Sequence, residues 1–222
     1  MRARREPCVQ QHALVVRIAH WMLALATLIM IGSGWRIYDN SPLFDFGFPL
    51  WITLGGDPDL SYDQHGESGT GTAIAWHFAG MWLLLVAFLL MVLYGTLSGH
   101  FRRDFLPVTP KSFWRDFVAA ARFRLQHVLG EYNAVQKALY WGVLLAVFLM
   151  MLSGLSIWKP VQLSWLTALF GGYEAARVVH FLVMSTIVAF LVVHVSLVIL
   201  VPKTLVSMLT GRVGAANRGG KH

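Results

Sequence analysis

The chain has 222 residues, of which 56% are hydrophobic and 13% charged, with a mean hydropathy of +0.58 and a formal net charge of +7. That balance excludes an ordinary soluble domain, which does not carry so much apolar material. The single cysteine, Cys8, excludes an internal disulfide, a cysteine-ligated iron–sulfur cluster and a CxxCH haem attachment.

The chain opens on a basic tail, MRARRE. The apolar run that follows, residues 14–37, is too long for the core of a signal peptide and lacks a clean small-residue cleavage site. It reads as a first membrane span, since crossing a bilayer takes ~20 apolar residues. The loop over 38–72 mixes aromatics with turn residues. It carries Asp39, Asp45, Asp57, Asp59, Asp63 and Glu67 but no lysine or arginine. Its size makes it either an irregular cap or a docking surface. A second span covers 73–98.

The 99–133 loop is basic, with Arg102, Arg103, Lys111, Arg115, Arg122 and Arg124. Within it Phe113, Trp114, Phe117 and Ala121 recur at helical spacing among the arginines, which predicts an amphipathic helix on the cytoplasmic membrane surface, shielding the bundle. Third and fourth spans cover 134–158 and 177–201, and the C-terminal tail adds Lys203, Arg212, Arg218 and Lys221. Basic tails and a basic middle loop against an acidic first loop follow the positive-inside bias. Both termini are therefore expected in the cytoplasm. The same distribution accounts for the net charge without a nucleic-acid partner. The expected fold is an all-α integral membrane four-helix bundle with the additional surface helix, a single domain over 1–222 with no internal repeat.

Nine histidines occur, and His12, His65, His100, His127 and His222 lie in tails or at loop edges. The other four, His20, His77, His180 and His194, lie within spans, where a polar side chain is costly and needs a reason. Fourteen residues separate His180 from His194, close to four whole turns, so they share a face but stand ~21 Å apart along the axis. One metal cannot use both, because metal–nitrogen bonds are only ~2 Å. The charge-derived topology sets His20 level with His194 on the inner side and His77 level with His180 on the outer side. Facing histidines at two depths are how a helical bundle holds two bis-histidine haems. A proton relay through the same residues is the competing reading.

Gly34 and Gly95, fourteen and eighteen residues after His20 and His77, are expected to face the outer and inner haems, although close helix packing explains both equally well. Arg17 and Arg177 each stand one turn before a proposed ligand, in RIAH and RVVH, placed to pair with haem propionates. The positive-inside rule explains Arg17 equally well; Arg177 is on the wrong side for it.

RIAHW in the first span, a histidine opening the second, GEYNAVQKALYW leading into the third and H-x13-H in the fourth resemble the bacterial cytochrome b561 / nickel-hydrogenase cytochrome b superfamily. Within it the chain looks most similar to the cytochrome b (gamma) subunits of formate dehydrogenase and thiosulfate reductase, over nearly all of residues 12–212. The resemblance implies two haem b groups, held by His20 with His194 and by His77 with His180. It implies an electron-transfer subunit linking a periplasmic redox partner, expected to be a molybdopterin enzyme, with the quinone pool. It also implies a quinone site near the inner haem at Asn133, Gln136 and Lys137, within a segment that includes Gly130 and Tyr132. Val135, standing where those relatives have glycine, crowds that pocket. The alternative within the superfamily is a stand-alone cytochrome b561 that oxidises superoxide and reduces quinone, against which the acidic outer loop counts by repelling an anion. A proton or metal transporter is disfavoured by the lack of Asp or Glu within the spans.

Overall fold

The computed structural model describes residues 8–10, 13–55, 71–99, 101, 114, 115, 118 and 134–214. In chain order its helices are α1 (Leu14–Asn40), α2 (Gly71–Leu97), α3 (Ala134–Trp158), the short α4 (Ser164–Leu169), α5 (Tyr173–Leu200) and α6 (Pro202–Thr210). The four long ones, α1, α2, α3 and α5, are each apolar enough to cross a membrane. The surface helix expected around Phe113–Ala121 falls mostly outside the described residues; Trp114, Arg115 and Val118 are helical, and Trp114 is exposed. His12, His65, His100, His127, His222, Gly130, Tyr132 and Asn133 also lie outside the described residues.

The helices are inside-out relative to a soluble bundle. Large side chains such as Leu25, Leu28, Leu93, Leu145, Val192 and Leu197 are exposed, as lipid contact requires, and along the helix seams the buried residues are mostly small, Arg36 being an exception. On α1 the buried seam is Ala19, Ala26 and Ser33, spaced by sevens. On α2 it is Ala73, Gly80 and Ala87, with the same spacing. A seven-residue seam of small side chains lets two helices lie close along their length with a left-handed crossing. A Cβ added to Gly80 would come within 3.0–3.1 Å of Ile29 and Met30, so the approach is as close as glycine allows.

Two hairpins result. α1 packs along α2 and α3 along α5, while between the hairpins the backbones stand further apart. What joins the hairpins is side chains. At one end His20 of α1 meets His194 of α5. Phe101, just beyond α2, meets Tyr140 and Trp141 of α3. At the other end Phe181 of α5 packs on Tyr38, Phe44 and Phe46, and Phe78 of α2 on Trp158 of α3.

The described half of the first loop, residues 41–55, is a cap. Trp35 stacks on Phe48 at 4.7 Å, Leu54 N donates to the Gly32 carbonyl at 2.9 Å, and Gly55, with φ 108°, lies directly on Ala73 of α2. The helix ends depart from the hydropathy edges. α1 runs on to Asn40, and α5 begins at Tyr173, four residues before the expected start. Gly171 and Gly172, at φ 90° and 103°, turn the chain out of α4, so α5 starts where the backbone permits and not where lipid begins.

Beyond the all-helical expectation there is one pair of short antiparallel strands, β1 (Cys8–Gln10) and β2 (Arg212–Gly214). The pair brings the two tails together at one end of the bundle, called the terminal end below; the end capped by residues 41–55 is the far end. Cys8 is the register partner of Gly214. Directly opposed antiparallel residues have Cα atoms about 4.5–5.5 Å apart, within disulfide reach. Mild oxidation of a Gly214→Cys variant is therefore expected to close an intrachain crosslink to Cys8, seen as a faster band on a non-reducing gel. No crosslink would place the tails apart.

Candidate functional site

The four span histidines separate into two levels. His20 and His194 lie near the terminal end, six residues inside the ends of α1 and α5, and their ring centroids are 6.2 Å apart at 54°. Two imidazoles ligating one metal from opposite sides place their ring centres roughly 6 Å apart, since each metal–nitrogen bond is about 2 Å. Trp21 stands edge-on to His20 at 5.3 Å and Phe190 stacks on His194 at 5.6 Å, so aromatic neighbours hold both rings. His77 and His180 lie at the far end, near the starts of α2 and α5.

The far-end histidines show how this chain supports an imidazole inside a bilayer. Ser33 Oγ lies 3.0 Å from His77 Nδ1, and Ser153 Oγ lies 2.9 Å from His180 Nδ1. Each serine donates its one hydroxyl proton to its own helix, Ser33 to the Ile29 carbonyl at 2.6 Å and Ser153 to the Met150 carbonyl at 3.1 Å. The serine oxygens are therefore left to accept. Nδ1 of both histidines thus carries the proton, and Nε2 keeps its lone pair for a metal. This is the tautomer that a second-shell acceptor imposes on a ligating histidine.

The next residue completes the arrangement. A Cβ on Gly34 would lie 3.3 Å from His77 Cε1, and one on Gly154 would lie 3.3 Å from His180 Cε1. Gly34 therefore makes room for the ligand's own ring, not for the face of a macrocycle as expected. Gly95 also differs: a Cβ there would run into the ring of Phe101, which the turn at Ser98 and Gly99 folds back onto α2. The flat group that Gly95 receives is a phenyl ring, and Phe101 with Leu144, Phe88, Met91 and Tyr140 forms the apolar contact between α2 and α3.

Ser33, Ser153 and Gly154 were not singled out by sequence reasoning, yet a signal is present. Met30-Ile31-Gly32-Ser33-Gly34 on α1 and Met150-Met151-Leu152-Ser153-Gly154 on α3 share M-x-x-S-G. Each presents it to a histidine on the next long helix of its own hairpin. The chain does contain an internal repeat, confined to five residues and visible once the hairpins are paired.

Both predicted propionate partners are engaged with protein. Arg177 donates to Glu174 at 2.9 Å, to the Ser41 carbonyl at 2.6 Å and to Ser41 Oγ at 3.1 Å. Arg17 Nε donates to the Met208 carbonyl at 3.0 Å, and with Trp21, Leu25 and Leu209 lines an open apolar groove of about 440 Å³. Of the predicted quinone segment, Gln136 and Lys137 lie in the first turn of α3 at the terminal end, Gln136 exposed and Lys137 half-buried.

Among the described residues no three of His, Cys, Asp and Glu gather as a protein-only metal site. His20 and His194 meet as a pair, which suits a metal whose remaining ligands come with it, as the four pyrrole nitrogens of a haem do. The ring spacing of the terminal-end pair and the freed Nε2 atoms of the far-end pair both fit that group.

Residues 11–211 match the family described as prokaryotic cytochrome b561. The putative protein-methionine-sulfoxide reductase subunit YedZ1 of Azospira oryzae is 43% identical over 201 residues, covering 90% of this chain and 96% of that protein. A probable Ni/Fe-hydrogenase B-type cytochrome subunit of Bradyrhizobium diazoefficiens is 25% identical over 87% of this chain and 79% of its own length. One from Cupriavidus necator is 22% identical over 81% and 74%.

The serine ties generate a prediction. Ser33→Ala and Ser153→Ala are each expected to weaken retention of b haem by about tenfold, the usual cost of losing a second-shell acceptor. Ser33→Thr, which keeps the hydroxyl, is expected to retain it. Haem content through successive detergent washes reads the difference, and alanine variants that hold haem as the parent does would show the serines to be packing alone.

Proposed function

The chain belongs to the prokaryotic cytochrome b561 family, membrane electron-transfer subunits that carry haem b and serve a redox partner, and we propose that it is a two-haem quinol-oxidising subunit of a periplasmic reductase. The observation that carries the proposal is the approach of His20 and His194, from different hairpins, to the spacing of two ligands on one metal. On this reading His20 and His194 hold an inner haem b, His77 and His180 an outer one, and each haem supplies one-electron exchange between ferric and ferrous iron. The terminal end faces the cytoplasm and the far end the periplasm of a bacterial inner membrane, and residues 1–222 act as one domain.

The chain's residues then divide the work. The imidazoles fix the two centres ~21 Å apart along α5, a separation set by fourteen residues of helix. Lipid-facing leucines and valines keep water from both. Asn133, Gln136 and Lys137 receive the quinone at the inner end, Asn133 by a hydrogen bond to a carbonyl and Gln136 or Lys137 by handling its protons. Arg17 and Arg177 lie one turn from the inner and outer ligands, as cationic neighbours of the propionates.

The name of the Azospira relative supports protein methionine sulfoxide as the terminal acceptor. Quinol then yields quinone, two protons and two electrons, and the sulfoxide takes up two electrons and two protons to give thioether and water. The sulfoxide is reduced by the partner subunit, expected from the sequence resemblance to be a molybdopterin enzyme, and not by this chain.

A dithionite-reduced minus oxidised spectrum with pyridine haemochrome quantitation tests the reading. Two b haems per chain are expected, with His77→Ala and His194→Ala each retaining one. A folded, colourless preparation from haem-replete cells would sink it. Quinol-reduced vesicles are expected to re-oxidise when the periplasmic partner and an oxidised methionine substrate are added together, and not with either alone.

A further inference from the structure

One charged side chain has no part in anything described so far. Arg36, in the outer half of α1, is 2% exposed, and its Nε and Nη2 are fully buried without a hydrogen-bond partner. A guanidinium keeps its charge in a protein interior and presents donors only. Leaving it unpaired away from water costs several kcal/mol. A chain that places one there has an anion to meet.

The neighbouring acids do not supply it. Asp39, one turn further along α1, turns its Oδ1 to the backbone N–H of Phe48 at 2.8 Å. Glu174 is paired with Arg177 at 2.9 Å. Next along the chain from Arg36, Trp35 Nε1 is likewise buried and unpartnered, another donor and not an acceptor. Arg36 follows Ser33 by three residues, so it lies ~4.5 Å further along the same face of the helix that holds His77.

We propose that Arg36 is the anchor for a carboxylate of the outer haem, binding a propionate through Nε and Nη2. The inference rests on the two-haem reading above. Planar guanidinium and carboxylate match in a two-bond fork, and the pair is strong where water is excluded. Arg177 differs because Glu174 and Ser41 already occupy it. Arg36 is also positive charge beside the iron, and positive charge favours the ferrous state.

Arg36→Leu and Arg36→Lys in the purified holoprotein, in wild-type and His194→Ala backgrounds, test the proposal. Arg36→Leu is expected to lower the outer haem's reduction equilibrium by about tenfold, about 59 mV for a one-electron couple, with the inner haem unmoved. It is also expected to shift the propionate bending mode in the resonance Raman spectrum. Arg36→Lys, which keeps the charge, is expected to recover most of the potential but not the Raman mode. An outer haem with unchanged potential and Raman spectrum in Arg36→Leu would overturn it. If Arg36→Leu does not fold, Arg36→Lys decides alone: an unchanged Raman mode there overturns the proposal. Failure of the two-haem reading itself is told apart by the control His77→Ala, which then loses no haem.

Discussion

A polar side chain in the hydrocarbon of a bilayer must find its hydrogen bonds inside the protein. Much else here follows from how two histidines meet that demand. His77 and His180 each give Nδ1–H to a serine whose own proton is already given to its helix. The serine is small enough to be wholly buried in the seam, and the glycine after it leaves space for the imidazole. A larger residue at either position would push the helices apart and lose the bond. The close packing of α1 on α2 and α3 on α5 and the chemistry of the ligands are thus one arrangement.

That arrangement explains why the bundle is two hairpins and not four equivalent helices. Small residues by sevens bring α1 and α2 into contact, whereas the hairpins meet mainly through aromatic side chains near their ends. α5 carries a histidine of each level, and one of them, His194, is in ring contact with His20 of α1 in the opposite hairpin. α3 contributes no histidine, but its Ser153 and Gly154 set His180 on α5. The terminal-end pair is therefore assembled only when the hairpins associate.

Much of this was legible in the sequence, for a physical reason. Hydropathy measures lipid contact, and four lipid-crossing helices leave an unmistakable trace: the span 134–158 coincides with α3, and the others fall within a few residues of α1, α2 and α5. Spacing along a helix is rigid, so the depths of the histidines could be read directly. What could not be read depends on contacts between helices. Gly34 and Gly95 were expected to face haems, whereas the folded chain brings the His77 imidazole to one and the Phe101 ring to the other. Ser33 and Ser153 look like neutral membrane residues until a histidine stands opposite. Arg36 drew no notice in the sequence, because its burial depends on contacts that hydropathy does not record.

The two arginines first associated with propionates have a structural consequence of their own. α1 and α5 hold a histidine pair between them although their backbones pack little against each other, so something must fix their relative height. At the far end Arg177 reaches from the first turns of α5 to Ser41, just past the end of α1. At the terminal end Arg17 reaches from α1 to the Met208 carbonyl in α6, which follows α5 after a single residue. Each is a charged donor on a main-chain carbonyl, worth about 1.5–3 kcal/mol where it is shielded from water. Tied at both ends, α1 cannot slide along α5 by one turn, a shift of ~5.4 Å that would part His20 from His194. The register of this histidine pair is held by arginines at the membrane edges, where a charged side chain is cheap to keep, and not by polar groups in the middle, where it is not.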